Sequence, residues 1–397
     1  MSGLAQALVA AAPEQLADLV LPGPRDERWR YSSLRALNAR TFKPIADESG
    51  ALADELPARI ASLSPRIVLV DGRHQPTLSD MASLGDAVTL NASALSADVP
   101  PHWPFARAAA ASAATLGVRV STSTLAPIHL VSLITSAAQD AVVQQSLRVE
   151  LAEGVKAALV HHRIGEHDSS AFVNLWRDLV LADRATLQWL EVADDGERAS
   201  VVIGTRAVLG ASARFELGEV AAGAALYRHD LDATLAGEQA ELIVRGCTMV
   251  TKRRHADVNI DARHRAKHTR ADIVWRGLAD QRGHGIFAGQ LIVEEGADGA
   301  DAALSNKNLL LSPQAEIDTR PVLEIYADEV KAAHGATVGR LDDSALFYLR
   351  SRGIAEPEAR RILQTAFARE PLLQIRPAAL RDAALAALAR SLPESDA

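Results

Sequence analysis

ELIVRGCTMVTKRRHADVNIDARHRAKHTRADIVWRGLADQRGHGIFAGQLIVEEGADGADAALSNKNLLL, residues 241–311, decides the fold. β-rich pieces of roughly four to six residues recur in it, at 241–244, 257–260, 273–275, 290–293 and 309–311. Gly, Asp or Asn separates most of them, and no long helix fits between. A βαβ sheet needs a crossover of a dozen residues or more, so that class is excluded. A β-sandwich or barrel and a β-solenoid remain. Turn chemistry separates the two. Asn-Gly does not occur, and Asp-Gly occurs in the β zone only at Asp195-Gly196 and Asp298-Gly299. Many short strands with few hairpin turns predict parallel coils, and the lack of a strict repeat predicts that the coils are irregular.

The same texture extends over 117–341, with further pieces at 118–120, 128–131, 187–192 and 201–203. Two flanking regions differ. Residues 1–116 read as mostly helical, with Leu4, Leu8, Leu16, Leu19 and Val20 at helical spacing, a break at Pro22-Gly23-Pro24, and one strand, Ile67-Val68-Leu69-Val70. Residues 342–397 return to helix. Asp342 or Asp343 caps a first helix that Gly353 ends, Pro357 opens a second, and Pro377 opens a third. Three amphipathic helices there would cap the solenoid's end or present a surface to a partner, and the chain from Ser391 on reads as a loose tail.

Composition narrows the function. The 397 residues are 48% apolar and 23% charged, with a net charge of −8, so no basic field steers the molecule to nucleic acid or an anionic membrane. The single cysteine, Cys247, rules out an internal disulfide, a thiolate zinc cluster and an iron–sulfur cluster held by four thiolates of this chain. In its apolar run Cys247 reads as a small buried hydrophobe rather than a nucleophile. The start of the chain has no basic segment of the secretory kind and no stretch reaches bilayer length, so the expected location is the cytoplasm.

No phosphate-binding loop or nucleophile elbow is present. Histidines are the residues left to weigh. His255, His264, His268 and His284 fall in one basic stretch. His264 and His268 would share a strand face yet stand ~13 Å apart, too far for one ion, so a structural histidine ladder or turn is the expected reading. His161 and His162 are adjacent and would point to opposite faces of a strand. His334 stands between an apolar strand and the flanking Gly335 and Gly339, where spacing alone favours a structural histidine over a ligand.

Longer runs carry more. They are Phe287-Ala288-Gly289 with Leu291-Ile292-Val293, Asn308-Leu309-Leu310-Leu311-Ser312, Arg320-Pro321-Val322-Leu323-Glu324-Ile325-Tyr326-Ala327-Asp328, His334-Gly335-Ala336-Thr337-Val338-Gly339, and Leu346-Phe347-Tyr348-Leu349-Arg350-Ser351-Arg352-Gly353. In that order they resemble the SufB/SufD family of Suf scaffold proteins. Arg28-Trp29-Arg30-Tyr31 and Val68-Leu69-Val70-Asp71-Gly72 add a weaker match. Within the family the His334 segment resembles the SufD type. The SufB type places a cysteine shortly before this histidine and a glutamate after it, where this chain has Ala332 and Gly335.

The resemblance implies a right-handed parallel β-helix flanked by N-terminal and C-terminal α-helical regions. It implies a scaffold of iron–sulfur cluster assembly, not an enzyme, that pairs with a SufB-like paralogue through the β-helix. The helices over 343–367 would dock a SufC-like ABC ATPase. His334 becomes a candidate ligand for iron or a nascent cluster shared with the paralogue, with no cofactor stably held by the chain alone. An exposed helix edge would also let the isolated chain form a homodimer. The alternative from another class, a β-helix carbohydrate-active enzyme such as a polysaccharide lyase, would need aromatic sugar platforms and a carboxylate pair. The chain has only 7 Phe, 5 Trp and 4 Tyr, and no such pair stands out.

Overall fold

Alternation with period 2 runs through the β zone once its polar residues are counted as strand positions. In Asp257-Val258-Asn259-Ile260-Asp261 the apolar side chains face one way and the polar ones the other. The computed structural model describes residues 2–23, 25–45, 55–93, 99, 103–112, 115–166 and 169–392. In it this run is the middle of a ten-residue strand, His255–His264. The short pieces read from the sequence are thus the apolar centres of longer strands, whose charged outer positions look like interruptions when composition alone is read.

The strands are β1 (Thr115–Val120), β2 (Ile128–Ile134), β3 (Ala141–Leu151), β4 (Lys156–Gly165), β5 (Phe172–Leu181), β6 (Thr186–Asp194), β7 (Ser200–Leu209), β8 (Arg214–Ala221), β9 (Leu226–Leu235), β10 (Glu241–Val250), β11 (His255–His264), β12 (Arg270–Ala279), β13 (His284–Val293), β14 (Asp301–Leu310), β15 (Glu316–Ile325) and β16 (Lys331–Gly339). Odd-numbered strands form one parallel sheet and even-numbered strands another. The two sheets wind into a β-solenoid of about 8 turns. Side chains in register stack from coil to coil: Leu226, His255, His284 and Glu316 form one such column.

The corners explain the missing hairpin turns. Six coils, from β3 to β14, turn from the odd to the even sheet through a residue with positive φ: Gly154, Arg184, Ser212, Gln239, His268 and Gly299. The backbone N–H at each corner donates to a carbonyl of the next coil, as Arg184 N does to Ala211 O at 2.8 Å and Gln239 N to Lys267 O at 3.1 Å. A left-handed corner costs a non-glycine residue about 1 kcal/mol, and this ladder of bonds between coils offsets it. His268 is therefore a corner residue, while His264 is buried at the end of β11, its Nδ1 2.8 Å from Thr269 Oγ1. The two share no strand face, contrary to the expectation from spacing, because the chain turns between them.

The interior is apolar at both ends and is filled by columns such as Val143, Val173, Val201 and Tyr227. Helix α1 (Gly3–Ala11) and helix α2 (Pro104–Ser112) cover the outside of the odd sheet, where Leu4, Leu8, Phe42 and Phe105 pack on Val142, Phe172 and Val202. Trp29 holds this layer in place: the Arg228 guanidinium lies 3.9 Å over its ring. Among the described residues, the N-terminal region also has more strand than periodicity shows, beyond the short pieces Lys43–Pro44 and Arg73–His74. Arg66–Val70 extends the even sheet in parallel with β2, and Val88–Ser93 runs antiparallel to β1.

Helices α3 (Asp343–Ser351), α4 (Glu356–Leu372) and α5 (Ala378–Ser391) do not cap the solenoid. α4 and α5 return along the outside of the even sheet, and α3 packs on α4. There Leu372, Ile375, Leu380 and Leu388 bury Val160, Leu190, Val220 and Cys247. Arg276 in the even sheet grips Glu370 with two hydrogen bonds of 2.8 and 2.9 Å. The reason is composition: the outward positions of β4, β6, β8 and β10 are themselves apolar and need a cover. Residues 393–397 of the expected tail lie outside the described residues.

Candidate functional site

The last coil is the open end of the molecule. β15 and β16 pair with strands on one side only, so each presents an unpaired backbone edge. His334 lies on β16 in register with Leu304, a residue of the solenoid interior. One coil earlier this column is buried; at His334 nothing follows it, and the imidazole is exposed. Among the described residues it makes no hydrogen bond, so both ring nitrogens are open to an incoming group. Ala332 on the same strand packs against the core, and Ile325, Tyr326 and Val338 are exposed nearby in the chain. An exposed imidazole on an unpaired strand edge can ligate a metal ion or pass a proton. It cannot complete a coordination shell alone.

Cys247 offers no help. It is fully buried beneath the C-terminal helices, and burial, with the Glu219 carboxylate adding, pushes its thiol up to about 12. The thiol stays protonated and inert at neutral pH.

The other histidines divide by face, as alternation requires. His161 points into the interior and His162 outward. His162 Nε2 meets His129 Nδ1 at 3.0 Å; His129 went unnoticed in the sequence because its partner lies one coil away. His255 and His284 sit side by side on the odd sheet with ring centroids 4.9 Å apart. His255 Nε2 is 2.7 Å from Ser32 Oγ. That hydroxyl also bonds Asp257, so serine and histidine share a covered structural contact rather than an activated nucleophile.

Burial holds these rings neutral. It pushes His162 and His255 down to about 3 and His264 to about 4, with the neighbouring rings adding to the shift at His162 and His255. In the unfolded chain each protonates near 6.5, so below that pH the unfolded state binds more protons and stability falls. Asp261, pushed up to about 6 by burial, acts in the opposite sense, because its folded form protonates first. For these four groups alone the unfolded chain binds about two more protons between roughly pH 6 and 4, or about 3 kcal/mol of stability lost per pH unit. Urea midpoints measured at pH 7 and pH 5 should differ accordingly; equal midpoints would refute the neutral burial of these rings.

A polar belt fills the middle of the interior, and sequence reading did not find it. His161, Glu191 and Glu219 follow one another in a single column. Arg163 and Arg177 converge on Glu191, the latter at 2.8 Å, and Trp189 Nε1 donates to it at 3.1 Å. Glu219 accepts from Tyr227 at 2.7 Å and pairs with His229 at 2.7 Å. Burial alone would raise Glu191, but Arg177, His161 and Arg163 outweigh it and hold the carboxyl well below the usual carboxylate range. The column continues through Gly246, where an added Cβ would meet the Trp275 ring at 2.2 Å. The indole takes the space that glycine leaves.

Comparison with known proteins decides the family. Residues 133–367 match the family described as SUF system FeS cluster assembly, SufBD core domain. The chain is 31% identical to the iron–sulfur cluster assembly protein SufD of Escherichia coli (strain K12), over 96% of this chain and 91% of that protein. The chain belongs to the SufB/SufD family. An iron–sulfur cluster assembly SufBD family protein of Synechocystis is 28% identical, over 93% of this chain and 87% of its own length. One of Mycobacterium leprae is 27% identical, over 94% and 91%. The chain is a SufD-type member, and the SufBD core match runs from β2 into α4, so it includes both His334 and α3. Among the described residues no helix is long and apolar enough to cross a membrane.

Proposed function

We propose that this SufD-type chain is a non-catalytic scaffold subunit of cytoplasmic iron–sulfur cluster assembly, with its working face at the open end of the solenoid. The observation that carries the reading is His334, exposed on an unpaired strand at the last coil. An edge of that kind pairs with another strand edge, and a SufB-like paralogue is the partner whose cysteines supply the thiolates this chain lacks. His334 then contributes one nitrogen ligand to iron or to the growing cluster, which is cargo of the joint site and not a resident cofactor. The same edge would join two copies when the chain is alone.

A second surface serves the energy source. On α3, Phe347 is 73% and Tyr348 58% exposed, while Leu346 on the opposite side is buried. Two adjacent exposed aromatics are the usual anchors of a protein interface, and we assign them to a SufC-like ABC ATPase. Arg276–Glu370 and the buried face of α4 would transmit motion of that partner to the even sheet. The carbohydrate-active alternative is set aside by the family membership.

Co-purification tests this reading. The chain co-expressed with an ABC ATPase and a cysteine-bearing paralogue should bring down both. Phe347→Asp with Tyr348→Asp should lose the ATPase, weakened ~100-fold or more as expected for two anchor residues, and keep the paralogue. Retention of the ATPase by the double variant would sink the α3 assignment, and failure of the paralogue to co-purify with the unaltered chain would sink the edge assignment.

A further inference from the structure

We propose that His284, Glu316 and Asp318 form a site for a divalent transition-metal ion on the outer face of the odd sheet, separate from His334. One donor atom from each side chain lies within 4.8 Å of the other two. The register produces this. β13 and β15 pair in parallel with His284 beside Glu316 and Ile286 beside Asp318. Glu316 and Asp318 are two apart on one strand and so share a face, and neighbouring strands lie ~4.8 Å apart. Three ligating side chains are thus brought to one small patch by rigid strands and not by a loop.

Geometry fits coordination. His284 Nε2 and Asp318 Oδ2 are 2.8 Å apart, the ring N–H donating to the carboxylate oxygen. Nitrogen and oxygen ligands bound at ~2.1 Å to one ion stand about 3 Å from each other, so an ion can take the proton's place with little movement.

Charge points the same way. Several carboxylates on this face have guanidinium partners: Asp257 has Arg228, Asp261 has Arg28 and Asp178 has Arg148. Among the described residues, neither Glu316 nor Asp318 has a lysine or arginine partner, and His284 is the only basic group that meets them. Two uncompensated carboxylates beside an imidazole favour a cation.

The imidazole is also braced from behind. The His255 ring packs edge-on against His284, and Ser32 fixes His255 in turn, the kind of outer support that orients a metal ligand. The side chains of His284 and Asp318 are 25% and 30% exposed, so an ion can enter from water and keep water in its remaining positions.

One imidazole and two carboxylates select borderline ions such as zinc, ferrous iron, manganese or cobalt over copper(I), which prefers sulfur, and over calcium, which prefers an all-oxygen shell. Protons compete with the ion for the imidazole nitrogen and the carboxylates, so affinity weakens as pH falls.

The test uses the full, tag-free, metal-stripped chain titrated with Co2+, followed by the visible ligand-field absorption of the bound ion and by competition with Zn2+. One equivalent should bind. His284→Gln and Asp318→Asn should each weaken it by at least ~10-fold, whereas Lys267→Ala, at an exposed corner outside the cluster, should leave it unchanged. Thermal unfolding confirms that each variant is folded; Asp318 is partly exposed and asparagine is nearly isosteric with it, which keeps the test available if His284→Gln is unstable. No saturable Co2+ binding, or equal binding by Asp318→Asn and the unaltered chain, would overturn the proposal. Because the readout needs neither partners nor cluster formation, its failure is distinguishable from failure of the scaffold reading.

Discussion

Replacing Glu191 by alanine is expected to cost about 3–5 kcal/mol of folding stability, the penalty for leaving buried charge unpaired. Glu191 is fully buried in the solenoid interior and meets Arg163, Arg177, His161 and Trp189 at once. Without it, the Arg177 guanidinium loses its only ion-pair partner among the described residues, and Arg163 keeps only Asp195, at 3.0 Å. Breaking the exposed pair between Lys252 and Glu197 is the control, since a surface ion pair contributes about 0–1 kcal/mol. Urea unfolding of both variants measures the contrast. A loss below ~1 kcal/mol for Glu191→Ala would mean that the belt relaxes or hydrates, contrary to the packing described.

His334→Ala should behave in the reverse way. The imidazole is exposed and unbonded among the described residues, so stability should change by no more than about 0.5 kcal/mol. Cluster formation by the complex with the paralogue and ATPase should fall by about 10–100-fold, the scale on which metal sites respond to loss of a supporting group. Anaerobic reconstitution followed by iron and sulfide analysis reads this directly. Unchanged cluster content in a purified, intact variant complex would remove His334 from the ligand set and leave the open edge as a pairing surface only.

The solenoid was legible because its evidence is local. Short β-rich pieces, absent crossover helices and scarce hairpin turns each follow from a few neighbouring residues, and together they favour parallel coils over the competing sheet architectures. Cys247 was legible for the same reason: an apolar run around a lone thiol reads as core. The resemblance of the runs from Phe287 to Gly353 pointed to the family, and the comparisons bear this out.

Sites were harder to see, because the coil is the unit that brings residues together. Glu191 and Arg163 are 28 positions apart, and His284 and Asp318 are 34 apart. A short-range search for chelating pairs passes over both. It lingers instead on His264 and His268, which are close in sequence and separated by a corner. The usable signal was the register: stacking the strands coil by coil places His255, His284 and Glu316 in one column and His161, Glu191 and Glu219 in another. That register cannot be counted off in advance, since coils vary in length and each insertion shifts every later column.

What the sequence by itself determined, then, is the coiled architecture and the flanking helical regions, because alternation and turn chemistry act over a few residues. Tertiary structure alone decided that the C-terminal helices lie along the even sheet, that the short apolar pieces extend into strands of about ten residues with charges at their outer positions, and which histidines meet carboxylates. The physical reason is that a parallel coil makes its contacts through neighbouring turns, so proximity there depends on register between turns and not on distance along the chain.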